Sequence, residues 1–220
     1  MARTIRTPWG EITPAVDVFP LGVVLFVYGV IYFLPGRVFF HVFHGDDGPI
    51  EWCQVLALAA ATILSTATAW RRRRRIAVWQ VWAWLLLAVV CGLLLMEEIS
   101  WGERLLPALS NHAVQGLNVQ HETNIHNLKG VNSLMHFSYI VFGLVLGYGG
   151  WKLLPRVECL PPQALSLYFL PLALFAAYLD LSWITNLERI RDDQELFEFL
   201  AYLGLAVNGW RGVRLPLKAS

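Results

Sequence analysis

The feature that most constrains this chain is the length of its uninterrupted apolar runs. Six of them, at residues 16–34, 50–70, 76–96, 135–154, 164–183 and 196–210, are between 15 and 21 residues long. A helix rises 1.5 Å per residue, so about 20 apolar residues cover the roughly 30 Å of bilayer hydrocarbon. Lipid offers no partner to a backbone amide, and a helix satisfies its own within one segment. The runs therefore read as membrane-spanning helices. Composition agrees: 56% of residues are hydrophobic, 15% are charged, and mean hydropathy is +0.51. Soluble chains run at about 25% charged, so this one lacks the polar surface to cover itself in water. Disorder, a coiled coil and a disulfide-stapled secreted module are excluded together.

The expected architecture is a single polytopic membrane domain over 1–220. It is an all-α integral membrane bundle of about six transmembrane helices, with both termini cytoplasmic and a partly ordered outer-side segment between spans three and four. The last run is short and begins among acids, so it reads as tilted or partly sunk into the bundle. Pro171 falls inside the fifth run and predicts a kink. The basic start (Arg3, Arg6) before an apolar run resembles a signal peptide. That run ends Leu34-Pro35-Gly36-Arg37 without a small-x-small cleavage pattern, so it reads as an uncleaved first span. Cys53 and Cys91 lie in apolar runs and Cys159 in a short loop, with no disulfide or metal spacing between them.

Net charge is +1, which is uninformative; its distribution is not. If the N-terminus is cytoplasmic and each run crosses once, the inner loops hold Arg3, Arg6, the arginine run 71–75, Lys152, Arg156, Arg211, Arg214 and Lys218. That is 12 of 17 basic residues, as the positive-inside rule requires. The arginine run, wedged between two spans, reads as a topological anchor against anionic lipid and not as a nucleic-acid patch. The same topology sends all six histidines and 13 of 16 acids to the outer side or its boundary. Most tryptophans fall near a span boundary, as an interfacial belt would place them.

Three polar clusters occupy that outer face. In Met96-Glu97-Glu98-Ile99-Ser100-Trp101-Gly102-Glu103-Arg104, two carboxylates follow an apolar run directly. Ionisable groups at the hydrocarbon edge are costly and mark functional sites, and two adjacent carboxylates must share a proton, meet Arg104, or bind a cation. On a continuing helix Glu97, Ser100, Trp101 and Arg104 would share one face. A helix that simply ends here is the plainer reading, although the helix dipole disfavours anions at that end. In Asn118-Val119-Gln120-His121-Glu122-Thr123-Asn124-Ile125-His126-Asn127, either an extended or a helical backbone puts Glu122 and His126 on one side. Carboxylate with imidazole suits Zn, Mn or Fe, and the amides suit a supporting shell or a polar headgroup. An ordinary polar loop is the plainer alternative. In the third cluster, Glu195 and Glu198 open the last span at i, i+3, matching a carboxylate pair entering a bundle core; acids also favour a first helical turn for its dipole alone. Asp180, inside the fifth span, and the His41, His44, Asp46, Asp47 segment are weaker candidates, as is His136. No phosphate loop, Ser-His-Asp order, HExxH or CxxC is present.

The strings Glu-Glu-Ile-Ser-Trp-Gly-Glu-Arg at 97–104 and Asn-x-Gln-x-Glu-x-Asn-x-His-Asn at 118–127 resemble an uncharacterised group of bacterial multi-pass membrane proteins carrying E-E-I-S-W-G-x-R and a following asparagine- and histidine-containing segment. The resemblance implies a membrane-embedded fold. It weights Glu97, Glu98, Ser100, Trp101, Gly102, Arg104, Glu122, Asn124, His126 and Asn127 as one unit, and it implies no reaction.

The leading functional expectation is a metal-dependent hydrolase or transferase at the outer rim of the inner membrane, facing the periplasm or exterior. Glu98, Glu122, His126 and Glu198 are the expected ligands of a divalent metal (Zn, Mn or Fe). Glu97, Glu98 and Arg104 are the expected catalytic groups, a spare carboxylate acting as base on metal-bound water and Arg104 holding an anion. Ser100, Trp101, Asn124 and Asn127 are expected to meet substrate. With little mass outside the bilayer, that substrate reads as a membrane lipid or lipid-linked molecule. Two alternatives stand beside it. One is a non-catalytic accessory or cofactor-binding subunit of a membrane complex. The other is a proton-coupled transporter, disfavoured because polar residues are scarce at the midplane of several spans. Nucleic acid is not an expected partner.

Overall fold

The computed structural model describes residues 5–7, 10–12, 18–33, 48–118, 123–125, 128, 131–181 and 194–215. Within these, each of the six apolar runs carries a helix. They are α1 (Phe19–Phe33), α2 (Pro49–Arg72), α3 (Val78–Glu98), α5 (Asn132–Leu144), α7 (Ser166–Leu181) and α8 (Gln194–Arg214), with the one-turn helices α4 (His112–Gln115) and α6 (Gly150–Leu153) between them. The described residues are all-helical but for one short ribbon near the start. Ile5–Thr7 (β1) and Gly10–Ile12 (β2) pair as a short antiparallel ribbon, with Ile5 opposite Ile12 and Thr7 opposite Gly10. Strands of three residues each are too brief to stand out beside the runs that follow.

Local chemistry explains the helix ends. α2 starts where Gly48 is extended and Pro49 takes the first turn, where its missing N–H costs nothing. Glu51 in its first turn and Arg71 and Arg72 in its last complement the helix dipole. Ala77, with ψ 145°, breaks the chain before α3, so α2 and α3 form an antiparallel hairpin. Gln80, buried in the first turn of α3, holds the loop opposite: its amide nitrogen donates to the Arg156 carbonyl and its oxygen accepts from Glu158 N at 3.0 Å. α5 runs into a π-helical turn, Val145–Gly149, and directly on into α6. α7 carries Pro171 inside and runs as helix through it to Leu181.

α8 organises the bundle. Gln54 meets Glu195 and Thr68 meets Gly209, two pairs with the same sequence offset of 141, so α2 and α8 run parallel and in register along most of their length. α7 lies antiparallel to α8, with the Phe175 and Phe197 rings 4.7 Å apart and Tyr168 against Gly204. Glycines set these distances. A methyl group at Gly204 would fall 2.6 Å from Tyr168 Cβ, and one at Gly209 would fall 2.8 Å from Leu64 Cβ. At Gly143 it would fall 2.7 Å from Ala173 Cβ, which fixes α5 against α7 in the same way. Small residues at helix contacts let backbones approach where lipid supplies no hydrophobic drive.

Large apolar side chains lie on the outside of the bundle as well as in its hydrophobic core, and a few polar ones are buried. Leu56, Ile63 and Leu86 on α2 and α3 are each about two-thirds exposed, while Gln54, Ser65 and Thr68 are fully buried. Thr68 donates from its hydroxyl to the Leu64 and Gly209 carbonyls. Such an apolar exterior is what lipid, not water, would cover. Among the described residues, α2 and α3 are long and apolar enough to cross a membrane. Cys91 and Cys159 are buried and Cys53 exposed, all three free thiols. Burial pushes the Cys159 thiol up to about 11, which makes it a packing residue and no nucleophile.

Gly204→Ala is expected to cost about 1–3 kcal/mol by overpacking, read as a lower unfolding midpoint in detergent. Gly22→Ala, where a methyl meets nothing within 4 Å, is expected to leave that midpoint unchanged.

Candidate functional site

The 97–104 segment does not continue as a helix. α3 ends at Glu98, Ile99 closes it with its N–H on the Leu95 carbonyl, and the chain then turns through three left-handed residues: Ser100 (φ 48°), Trp101 (φ 53°) and Gly102 (φ 93°). Glycine adopts this region freely, but two consecutive side-chain-bearing residues there are strained. The turn's consequence is a specific contact. Trp101 folds back so that its indole N–H donates to Glu97 Oε1 at 2.6 Å, while Glu97 Oε2 accepts the Ile125 backbone N–H at 2.7 Å. Helical spacing predicted the Glu97–Trp101 pairing; a different backbone delivers it. Ser100 is buried under this turn.

Arg104 leaves the expected face. Its guanidinium meets Glu51 Oε2 at 2.5 Å, at the start of α2, with both side chains largely buried. The cation expected to hold a substrate anion is thus already engaged by a carboxylate, and an anion binding there would compete with Glu51.

Glu98 faces the opposite way from Glu97, into the bundle. It accepts from the Tyr202 hydroxyl at 3.2 Å. Tyr139 on α5 hydrogen-bonds Glu198 and stands beside Glu98 and Glu195, and Tyr202 has the same three carboxylates around it. Glu198 is buried and accepts from Gln194 Nε2 at 2.6 Å, and Glu195 accepts from Gln54 Nε2 at 2.7 Å. Four helices therefore contribute to one polar cluster: α2 an amide, α3 a carboxylate, α5 a phenol, and α8 two carboxylates and a phenol. Three carboxylates so close in a partly buried space repel one another, and the hydrogen bonds offset only part of that. The arrangement is suited to holding a proton or a cation. Among the described residues, no group of three or more His, Cys, Asp or Glu is placed to hold a metal ion. The three carboxylates share the phenols of Tyr139 and Tyr202 as neighbours.

The described parts of the chain between α3 and α5 meet the end of α3 through Ile125 N–H on Glu97. Asn111 caps α4, its side-chain oxygen accepting from Ala113 and Val114 N–H. Asn118 and Asn124, both buried, pair through Asn118 Nδ2, which donates to the Asn124 side-chain oxygen at 2.6 Å and to its carbonyl at 3.0 Å. Asn124 was expected to meet substrate; here it closes a loop. Glu103 ties the loop's two halves, accepting from Thr123 N at 2.8 Å, Ser110 Oγ at 2.9 Å and Gln115 Nε2 at 2.5 Å.

Of the expected site residues, Glu98 and Glu198 come together, Glu97 and Trp101 pair on the loop side, Ser100 lies in the strained turn, and Arg104 pairs with Glu51. Glu122, His126 and Asn127 lie outside the described residues, as do His41, His44, Asp46, Asp47 and His121, and the side chains of His136 and Asp180. Sequence reasoning passed over Glu51, Gln54, Tyr139 and Tyr202. For Glu51 and Gln54 a signal existed: two polar residues one helical turn apart at the head of an apolar run. The tyrosines gave none, being ordinary in a span. Comparison with protein-family models, with curated proteins and with solved structures finds no match to this chain.

Hydrogen bonding, led by Thr123, holds the Glu103 carboxyl below its ordinary value of 4.5. A carboxyl lowered in the folded chain contributes fully above its unfolded value, and the contribution is lost as pH falls through the lowered one. Hydrogen exchange across 103–125 is expected to accelerate as pH drops below about 4.5, after correction for intrinsic rates. In Glu103→Gln the loop should exchange faster at neutral pH and lose that acid dependence.

Proposed function

We propose that this chain is a six-span inner-membrane protein whose outer rim holds a metal-dependent hydrolytic or transfer site for a lipid or lipid-linked substrate. The observation that carries the reading is the meeting of Glu98, Glu195 and Glu198 with Tyr139 and Tyr202 at one end of an apolar bundle. Burying Glu198 beside two half-buried carboxylates is costly without a proton or cation to offset them. Two arrangements support the six-span topology. Arg72 pairs with Glu158 at one end, joining the arginine run to the 154–163 loop. Glu51 pairs with Arg104 and Gln54 with Glu195 at the other. These are the two layers that alternate crossing would create.

In this reading Glu98 and Glu198 supply two metal ligands from the bundle, and Glu122 and His126 supply two from the segment between α3 and α5. Bound there, Zn, Mn or Fe would acidify a water molecule. Glu195, held by Gln54, is the carboxylate left to accept its proton. Glu97 shapes that segment through Trp101 and Ile125, so its part is positioning. Arg104 remains the anion-binding group, released from Glu51 when an anionic substrate enters.

Purified full-length protein, supplied with Zn, Mn and Fe and never exposed to chelator, is expected to carry about one metal ion per chain by elemental analysis. Glu98→Gln, Glu198→Gln and His126→Ala are each expected to reduce that content at least tenfold while the protein stays folded. A metal-free wild type would overturn the metal site and leave the cluster as a proton-holding one. Topology has its own test. With the native cysteines replaced, a His112→Cys variant should react with a membrane-impermeant maleimide from outside intact cells, and an Arg74→Cys variant only after permeabilisation.

A further inference from the structure

At the end of the bundle opposite the carboxylate cluster lies a cavity of about 600 Å³, within the range of ligand-binding sites. It is walled by the ends of α2, α3, α6 and α8 and by the 154–163 loop. Three observations give it chemistry. First, its charged lining residues are Arg72, Glu158 and Arg211, a net charge of one positive; Arg72 is only 11% exposed and pairs with Glu158 at 2.6 Å. Second, Trp84 lines the cavity at 1% exposure with its indole N–H lacking a hydrogen-bond partner among the described residues, a buried donor that a ligand acceptor would satisfy. Third, Leu154 and Leu215 belong to the wall and are also 51% and 41% exposed, so apolar side chains stand at the cavity's exposed edge.

A small free anion needs the arginines but not an apolar edge. A neutral apolar molecule needs the edge but not the arginines. An amphiphile with an anionic head uses both. We propose that this cavity holds the phosphate headgroup and first acyl segment of an anionic phospholipid, with the phosphate between Arg72 and Arg211 and an ester or phosphate oxygen accepting from the Trp84 indole. Basic pockets between helices on the arginine-rich side of a membrane recognise lipids in this way. The site is distinct from the carboxylate cluster and shares with it only the membrane placement of the bundle.

The test is native mass spectrometry of the full-length chain released from detergent after addition of phosphatidylglycerol, of phosphatidylcholine with the same chains, or of inorganic phosphate. One phosphatidylglycerol per chain is expected to survive activation that strips phosphatidylcholine, with an apparent affinity at least tenfold higher. Inorganic phosphate at equal concentration should not displace it. Arg211→Gln and Trp84→Phe should each weaken retention about tenfold without altering metal content. Trp84→Phe keeps an aromatic ring while removing the N–H, so it decides the matter if Arg211→Gln fails to fold. Equal retention of the two lipids, displacement by phosphate, or unchanged retention in a folded Trp84→Phe protein would overturn the proposal. Failure of the metal experiment leaves this outcome untouched, and the reverse holds as well.

Discussion

Close approach along α8 is the constraint on which the other contacts depend. Gly204, Gly209 and Gly212 bring its backbone so near α2, α3 and α7 that a single added methyl group would meet Tyr168, Leu64 or Thr68 at under 3 Å. Packing this close depends on shape, since no larger side chain fits at these contacts. Its register is then read out by polar pairs. Gln54 reaches Glu195 near one end and Thr68 reaches the Gly209 carbonyl near the other, both across the same offset. Sliding α8 by one turn would break both contacts at once, leaving Thr68 only its bond to Leu64.

That register also builds the two ends. At one, it brings Glu195, Glu198 and Tyr202 to Glu98 and Tyr139, concentrating negative charge where α3 terminates. At the other, it brings Asn208, Arg211 and Gly212 to Arg72 and Trp84 around a cavity with a positive lining. Asn208 donates to the Cys159 carbonyl at 2.7 Å and so ties the 154–163 loop to α8. One helix thus supplies acids to one layer and bases to the other. This follows from acids at its first turn and arginines at its last, the arrangement that the helix dipole favours.

The strained turn at 100–102 shows why local spacing was a useful but incomplete guide. A helix would have placed Glu97, Trp101 and Arg104 along one face. The left-handed turn keeps the first pairing and breaks the second, sending Arg104 to Glu51 on another helix. Glu97 and Glu98, adjacent in sequence, end with different partners: one serves the loop after α3 and the other the bundle interior. Of the alternating amides, Asn118 and Asn124 satisfy each other and close the loop on itself.

The apolar run lengths alone located the helices to within a few residues, because a helix satisfies its backbone amides within one segment. Charge asymmetry likewise separated an arginine-rich layer from an acidic one before any contact was known. Which acid meets which tyrosine, that Glu51 holds Arg104, and that a cavity with a buried indole sits among the arginines were decided only by tertiary structure. These depend on how parallel and antiparallel helices slide and rotate against one another. That is set by a few tenths of an ångström at glycine contacts, which no local pattern in the chain encodes.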